Sequence, residues 1–262
     1  MSGPRLTVSA LATTPVKALR VASPARVQLD RGGVRGDRRL YLIDDDGRMV
    51  NGKHRGELMT ISAELDDGAG HLTLTFADGQ PLAGPIETGA LVQTSFFSQS
   101  REARLVLGEF SAALSARAGQ TLRLVEPADG VSAIDRGEHG TVSLIARPSI
   151  AALARATGVE EIDGRRFRMS IELDGGLPFE EDDWIGRELS VGEAVIVPRG
   201  HVGRCLVTSR HPETGEVDLA TLDGLRALRG RAAATTEPLA LGLHGEVVQP
   251  GAVCVGDPVQ ML

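Results

Sequence analysis

The chain has 262 residues, enough for one large domain or two small ones with a proper core. Its net charge is −7 with no dominant basic patch, which argues against a nucleic-acid scaffold. Two cysteines cannot build a disulfide framework and no apolar run is long enough to span a membrane, so a reducing, cytoplasmic setting is expected. Only Lys17 and Lys53 are lysines. Nearly all positive charge is therefore arginine, which with abundant Ala and Gly points to a high-GC, bacterial genome.

In chain order, Leu6–Leu11 alternates like a strand. That reading is preferred to a transit peptide, although residues 1–29 lack acids. Arg39–Ile43, the turn Asp45-Asp46-Gly47 and Arg48–Val50 predict a β-hairpin. His71–Phe76 alternates, with Leu72, Leu74 and Phe76 on one face before the Asp78-Gly79 turn. A helix is expected over Glu109–Ala118, stopped by Gly119, and then a strand over Leu122–Val125. Pro, Gly and charge cluster near residues 126–140, where a soft domain boundary is placed.

A second helix, Ile150–Thr157, follows a Ser149 cap and ends at Gly158. Strands are expected at Ile171–Leu173, Glu188–Val191 and Ala194–Val197, with Cys205–Thr208 as a further strand-like run. A third helix, Leu219–Arg229, takes Asp218 as its cap, ends at Gly230 and is expected to bury Leu222, Leu225 and Leu228. Gly245–Val248 and Ala252–Val255 complete the strands. Many strands with few helices imply a β-rich α+β fold of barrel type.

The most informative stretch is His201–Asp218, which holds Cys205 directly after Arg204. A thiol beside a cation favours the thiolate needed for nucleophilic catalysis or soft-metal ligation. In a regular strand the two side chains would point to opposite faces, so the cation helps only if the backbone is irregular there. As a lone cysteine, Cys205 also fits a small buried hydrophobe. Cys254, among apolar neighbours, reads as packing.

Three remote segments supply cations. Thr14-Pro-Val-Lys17 presents a lysine after a rigid turn. Arg35-Gly-Asp-Arg38 offers a guanidinium that Asp37 could orient. Alternation through Arg165–Ser170 would put Arg166, Arg168 and Ser170 on one face. Each fits a solvated surface when taken alone; together with one thiol they suit an anionic, sulfur-rich, metal-bearing cofactor. The acid run Glu180–Asp183 reads as a solvated loop. Walker, GxGxxG, CxxC, HExxH and nucleophile-elbow patterns are absent.

The ordered set of motifs resembles the MOSC family, named from the C-terminal domain of molybdenum-cofactor sulfurase, over nearly the whole chain. The carrying pieces are Thr14-Pro-Val-Lys17, Gly36-Asp-Arg38, Asp46–Asn51, Phe167-Arg168, Phe179–Arg187, Leu189-Ser-Val-Gly192, Arg204-Cys205, Pro212-Glu-Thr-Gly215 and Val255–Val259. The resemblance implies a MOSC-type β-barrel over 126–262 preceded by a MOSC-associated β-barrel region over 1–125. In the amidoxime-reducing components of this family the cysteine of the Arg-Cys pair ligates molybdenum. By resemblance Cys205 is then the metal ligand and catalytic residue of a molybdenum cofactor (molybdopterin). Lys17, Arg38 and Arg168 would hold its phosphate and pterin, with Arg204 nearby. Ser170 falls at a polar cofactor contact, and His244 where those relatives carry a tyrosine. Ala18 replaces a serine and Gly203 a small polar residue of the relatives.

The implied function is reduction of N-oxygenated or similar small substrates, with electrons from a separate partner. The alternative is a sulfur carrier holding a persulfide on Cys205, and a weaker reading is a non-catalytic binding domain. No nucleic-acid or membrane partner is expected.

Overall fold

Val8 and Leu11 both point into the core although they are three positions apart, because a bulge between Val8 and Ala10 resets the strand alternation. The strand they belong to closes a barrel in the computed structural model, which describes residues 6–97, 99–134, 139–230 and 235–262. Strands are numbered along the chain. The barrel uses β1 (Leu6–Leu11), β12 (Val142–Ala146), β13 (Ile171–Asp174), β14 (Leu189–Val191), β15 (Ala194–Gly203), β16 (Ala240–Gln249) and β18 (Pro258–Met261). Their order around the barrel is β1-β13-β12-β16-β15-β14-β18, and β1 closes the ring against β18. Only β12 and β13 pair in parallel within this ring, so a crossover must join them. The crossover is helix α2 (Arg147–Thr157). Apolar residues from every strand of the ring, including Leu144, Ile171, Leu189, Ile196, Leu243 and Val259, fill the barrel with Trp184.

The first half builds separate sheets. β4 (Tyr41–Ile43) and β5 (Met49–Val50) form the expected hairpin, extended by β11 (Arg123–Pro127), β10 (Gln99–Val106) and β9 (Thr88–Phe96). A meander of β6 (Ser62–Asp66), β7 (His71–Thr75) and β8 (Pro81–Pro85) packs beside them. Leu72, Leu74 and Phe76 are buried as the alternation implies, and Phe110 and Leu114 of helix α1 (Phe110–Ala118) join the same core. The two halves are interleaved. β1 lies in the ring of the second half, and β2 (Arg26–Asp30), flanked by β3 (Gly33–Val34), pairs with β17 (Gly251–Cys254). Residues 135–138 of the expected boundary segment lie outside the described residues.

Five local expectations are corrected. Cys205–Thr208 is not a strand: Cys205 precedes a 3-10 turn over Leu206–Ser209. Helix α2 starts at Arg147 with Pro148 in its first turn, so Ser149 lies inside the helix and is not its cap. Helix α3 (Thr221–Arg229) starts after Ala220, which makes no side-chain cap, while Asp218 pairs elsewhere. Leu225 is buried but Leu228 is 39% exposed, because a three-residue step drifts about 60° around a helix of 3.6 residues per turn. The acid run is the 3-10 turn Glu180–Trp184, and Glu181 is fully buried in it.

Candidate functional site

Two short N-terminal segments are stitched together. The Thr14 N–H donates to Asp37 Oδ1 at 2.7 Å and the Arg38 N–H to Thr14 O at 2.7 Å. The Lys17 N–H donates to Leu40 O at 2.8 Å, and the Leu40 N–H returns to Pro15 O at 2.9 Å. Ala18 (φ 81°) and Arg38 (φ 48°) both sit in the left-handed region, a strained choice for side-chain-bearing residues that the surrounding bonds enforce. Buried Asp37 pairs with the Arg38 guanidinium, as the Asp-Arg spacing suggested. The Lys17 ammonium donates to Ala133 O at 3.0 Å and lies 5.2 and 5.7 Å from the ring centroids of Phe96 and Phe97.

The third cation arrives from the other half. Asp163 opens the 3-10 turn Gly164–Phe167 by accepting from the Arg165 N–H, and the turn ends in Arg168 at φ 55°. The expected strand alternation therefore fails here. Arg166 turns away to form a bidentate pair with Asp218 at 2.6 and 2.7 Å. Arg168 and the N-terminal arm clasp each other: Arg38 Nη2 donates to Arg168 O at 2.7 Å, and Arg168 Nη2 donates to Leu19 O at 2.7 Å. Burial first, and then the neighbouring Arg38 charge, push the Arg168 guanidinium down to about 9, so it stays cationic at neutral pH. Ser170 is buried, with its N–H donating to Ser143 Oγ at 3.0 Å and the two hydroxyls 3.2 Å apart.

Cys205 is exposed and ends the β15 strand path. Arg204 and Cys205 lie past the end of β15, but Cys205 keeps an extended backbone (φ −129°, ψ 178°), so the irregularity that would bring Arg204 to the side of the thiol is not found at that residue. The Arg204 guanidinium instead grips carbonyls. Nε donates to Leu241 O at 2.8 Å, Nη2 bonds the same oxygen, and Nη1 donates to Phe167 O at 3.0 Å. It also stacks 5.4 Å from the Phe167 ring centroid, tying the Cys205 turn to the Arg168 turn.

These groups meet in one cleft of about 290 Å³. Lys17, Arg38, Arg168, Ser170, Arg204 and Cys205 all line it, and so do Lys53, Asn51, Thr141, Ser143, Phe97 and Thr208. Five lining residues are Lys or Arg, and none of the described lining residues is Asp or Glu. Thr141 Oγ1 is buried with no hydrogen-bond partner among the described residues. Such a lining fits an anion with several acceptors. His244 is not among the lining residues. It stands on β16 opposite Ser143 and Gly200, and the missing side chain at Gly200 leaves room for its ring.

Lys53 was legible only as the second of two lysines. Thr141, Ser143 and Thr208 carry no sequence signal, because strand pairing and a turn bring them here. Among the described residues no group of three or more His, Cys, Asp or Glu side chains could hold a metal.

Family models match both halves: a MOSC N-terminal beta barrel domain over residues 5–119 and a MOSC domain over 131–260. The chain belongs to the MOSC family. This MOSC protein is 24% identical over 285 aligned residues to "Mitochondrial amidoxime reducing component 2" of Bos taurus, covering 98% of this chain and 83% of that protein. It is 26% identical to "Mitochondrial amidoxime-reducing component 1" of Danio rerio, covering 97% and 83%. A shorter match, 33% identical over 75 residues, is to "Molybdenum cofactor sulfurase" of Oryza sativa subsp. japonica; it covers 27% of this chain and only 9% of that protein. Among the described residues no helix is long and apolar enough to cross a membrane.

Proposed function

We propose that this MOSC protein binds a molybdenum cofactor in the cationic cleft, with Cys205 ligating the metal, and reduces N-oxygenated or similar small substrates. The carrying observation is one exposed thiol on a cleft whose described lining has five cations and no carboxylate. Lys17, Arg38 and Arg168 would hold the cofactor's phosphate. Arg38 and Arg168 offer planar forks and Lys17 a point charge. Ser170, Ser143 and Thr141 offer hydroxyls for the polar edge of the pterin. Arg204 acts by fixing the Cys205 turn, since its donors meet Leu241 and Phe167 carbonyls. When bound, the molybdenum centre supplies the redox chemistry. Removing oxygen from nitrogen as water takes two electrons and two protons, so a separate electron donor is required.

The exposure of Cys205 also supports a second reading, a sulfur carrier with a persulfide on that thiol and no metal. Metal analysis of protein made in a cofactor-competent host separates the two. The expected result is retained molybdenum in the native protein and its loss in Cys205→Ser at unchanged melting temperature, because a hydroxyl is a harder and far less acidic ligand. Sulfane sulfur on Cys205 without molybdenum would favour the carrier. Preferential labelling of Cys254, with Cys205 protected until denaturation, would remove both.

A further inference from the structure

We infer that Thr208 is a positioning residue for Cys205, acting at the end of a proton-ordered row of buried hydroxyls that runs from helix α3. Thr208 lines the cleft, yet its hydroxyl points to the protein: Oγ1 donates to Cys205 O at 3.0 Å. The Thr208 N–H donates to the same carbonyl at 3.1 Å. Thr208 Oγ1 is 2.8 Å from Thr221 Oγ1, which is 2.8 Å from Ser209 Oγ. All three side chains are buried.

Each hydroxyl has one proton, and a carbonyl can only accept. Thr208 spends its proton on Cys205 O, so Thr221 must donate to Thr208, and Ser209 must then donate to Thr221. Only one ordering satisfies the row. Each bond polarises the next toward the Cys205 carbonyl. An alternative Cys205 conformation would take the carbonyl acceptor away from the buried Thr208 hydroxyl.

The anchor is rigid. Thr221 is the first residue of α3, and Gly224 one turn on packs so closely that a Cβ there would fall 2.5 Å from Thr157 Cγ2 and 2.8 Å from Leu153 Cδ1 of α2. Local helix stability has not been favoured here. Ala220 makes no cap, and Asp218, two residues earlier, is engaged by Arg166 on the turn that presents Arg168. The Ser209 carbonyl accepts from the Asp218 and Leu219 N–H groups at 3.1 and 3.3 Å, closing the loop. The row and the Arg166–Asp218 pair thus tie the Cys205 turn to the turn that carries Arg168, and both residues line the cleft.

The inference rests on the proposed role of Cys205 as a ligand, and two readouts keep the ideas apart. Thr208→Val removes the hydroxyl at constant shape, and Thr208→Ser restores it. In cofactor-free protein, the labelling rate of Cys205 with a maleimide, with Cys254 as internal reference, should change several-fold in Thr208→Val and return toward native in Thr208→Ser. In protein from the cofactor-competent host, retained molybdenum should fall about 10–100-fold in Thr208→Val, the usual loss when the support of a metal ligand is removed, with rescue by Thr208→Ser. If Thr208→Val does not fold, Ser209→Ala tests the far end of the row. Native labelling rates and native molybdenum in both Val and Ala variants would overturn the inference. An altered labelling rate when even the native protein retains no molybdenum would keep the positioning role and remove the ligand reading.

Discussion

Of two cavities in the molecule, the larger is not the one proposed to bind the cofactor. A groove of about 680 Å³ is bounded by α2 and the Gly164–Phe167 turn, and its lining mixes Arg147 and Arg165 with Glu160, Glu161, Asp163, Glu172 and Asp174. Its cations are matched within reach. Arg147 meets Glu161 and Glu172 at 3.2 and 3.4 Å, and Arg165 meets Asp163 and Glu213 at 2.6 and 3.0 Å. In the smaller cleft Arg38 has buried Asp37, while Arg168 Nη2 donates to the Leu19 carbonyl. A carbonyl orients a guanidinium without neutralising it. Size therefore says little about ligands here, whereas the sign of the lining charge does.

The sharpest way to break this contrast is to remove one cation from each cavity. Arg168→Ala should weaken retention of the molybdenum cofactor by about 2–5 kcal/mol, the range for truncating one partner of a buried charge pair. Arg147→Ala should leave retention unchanged. Metal content after gel filtration reads both, and equal losses would erase the distinction.

The inner face of α2, behind the groove, carries the next effect. Ser149 accepts from the Phe179 N–H and donates to Glu181 Oε2, both at 2.7 Å. Asp182 beside it has Arg229 at 2.8 Å and His201 at 3.1 Å, whereas Glu181 has the neutral Ser149 hydroxyl. Burial raises Glu181 from 4.5 to about 7. A raised acid binds its proton more tightly when folded. Its stabilisation is full below the unfolded value and is lost as pH climbs through the folded one, so stability should drop by about 3 kcal/mol between these limits. Glu181→Gln, a mimic of the protonated acid, should melt like the native protein at low pH and above it at pH near 8. Parallel melting curves across pH would refute this.

The smallest effect is structural. Arg147 and Glu161 are 47% and 76% exposed, so Arg147→Ala should change stability by less than about 1 kcal/mol. A larger loss on chemical denaturation would mean that the groove, and not only the cleft, depends on a particular charge.

Strands with one buried face were legible because their signal is local and has period two. His71–Phe76 and the 39–50 hairpin follow from alternation and turn chemistry alone, and Gly119 and Gly158 stop helices where a left-handed residue is needed. Lys17, Arg38, Arg168 and Cys205 were also legible, through the resemblance of motifs to a family and not through spacing. The interleaving of the halves was not legible, since β1 finds β13 and β18 across more than 150 residues and nothing in Leu6–Leu11 names its partners. Glu181 was misread because an acid run looks solvated until Ser149, itself misread as a cap, is seen to meet it. Thr141, Ser143 and Thr208 became site residues only by register. The sequence by itself determined which segments could be strands and which residues carried charge or a thiol, because those properties belong to single residues and short periods. Only the tertiary structure decided that cations from both halves line one cleft with Cys205, because a shared cleft is a property of long-range pairing, which no local pattern encodes.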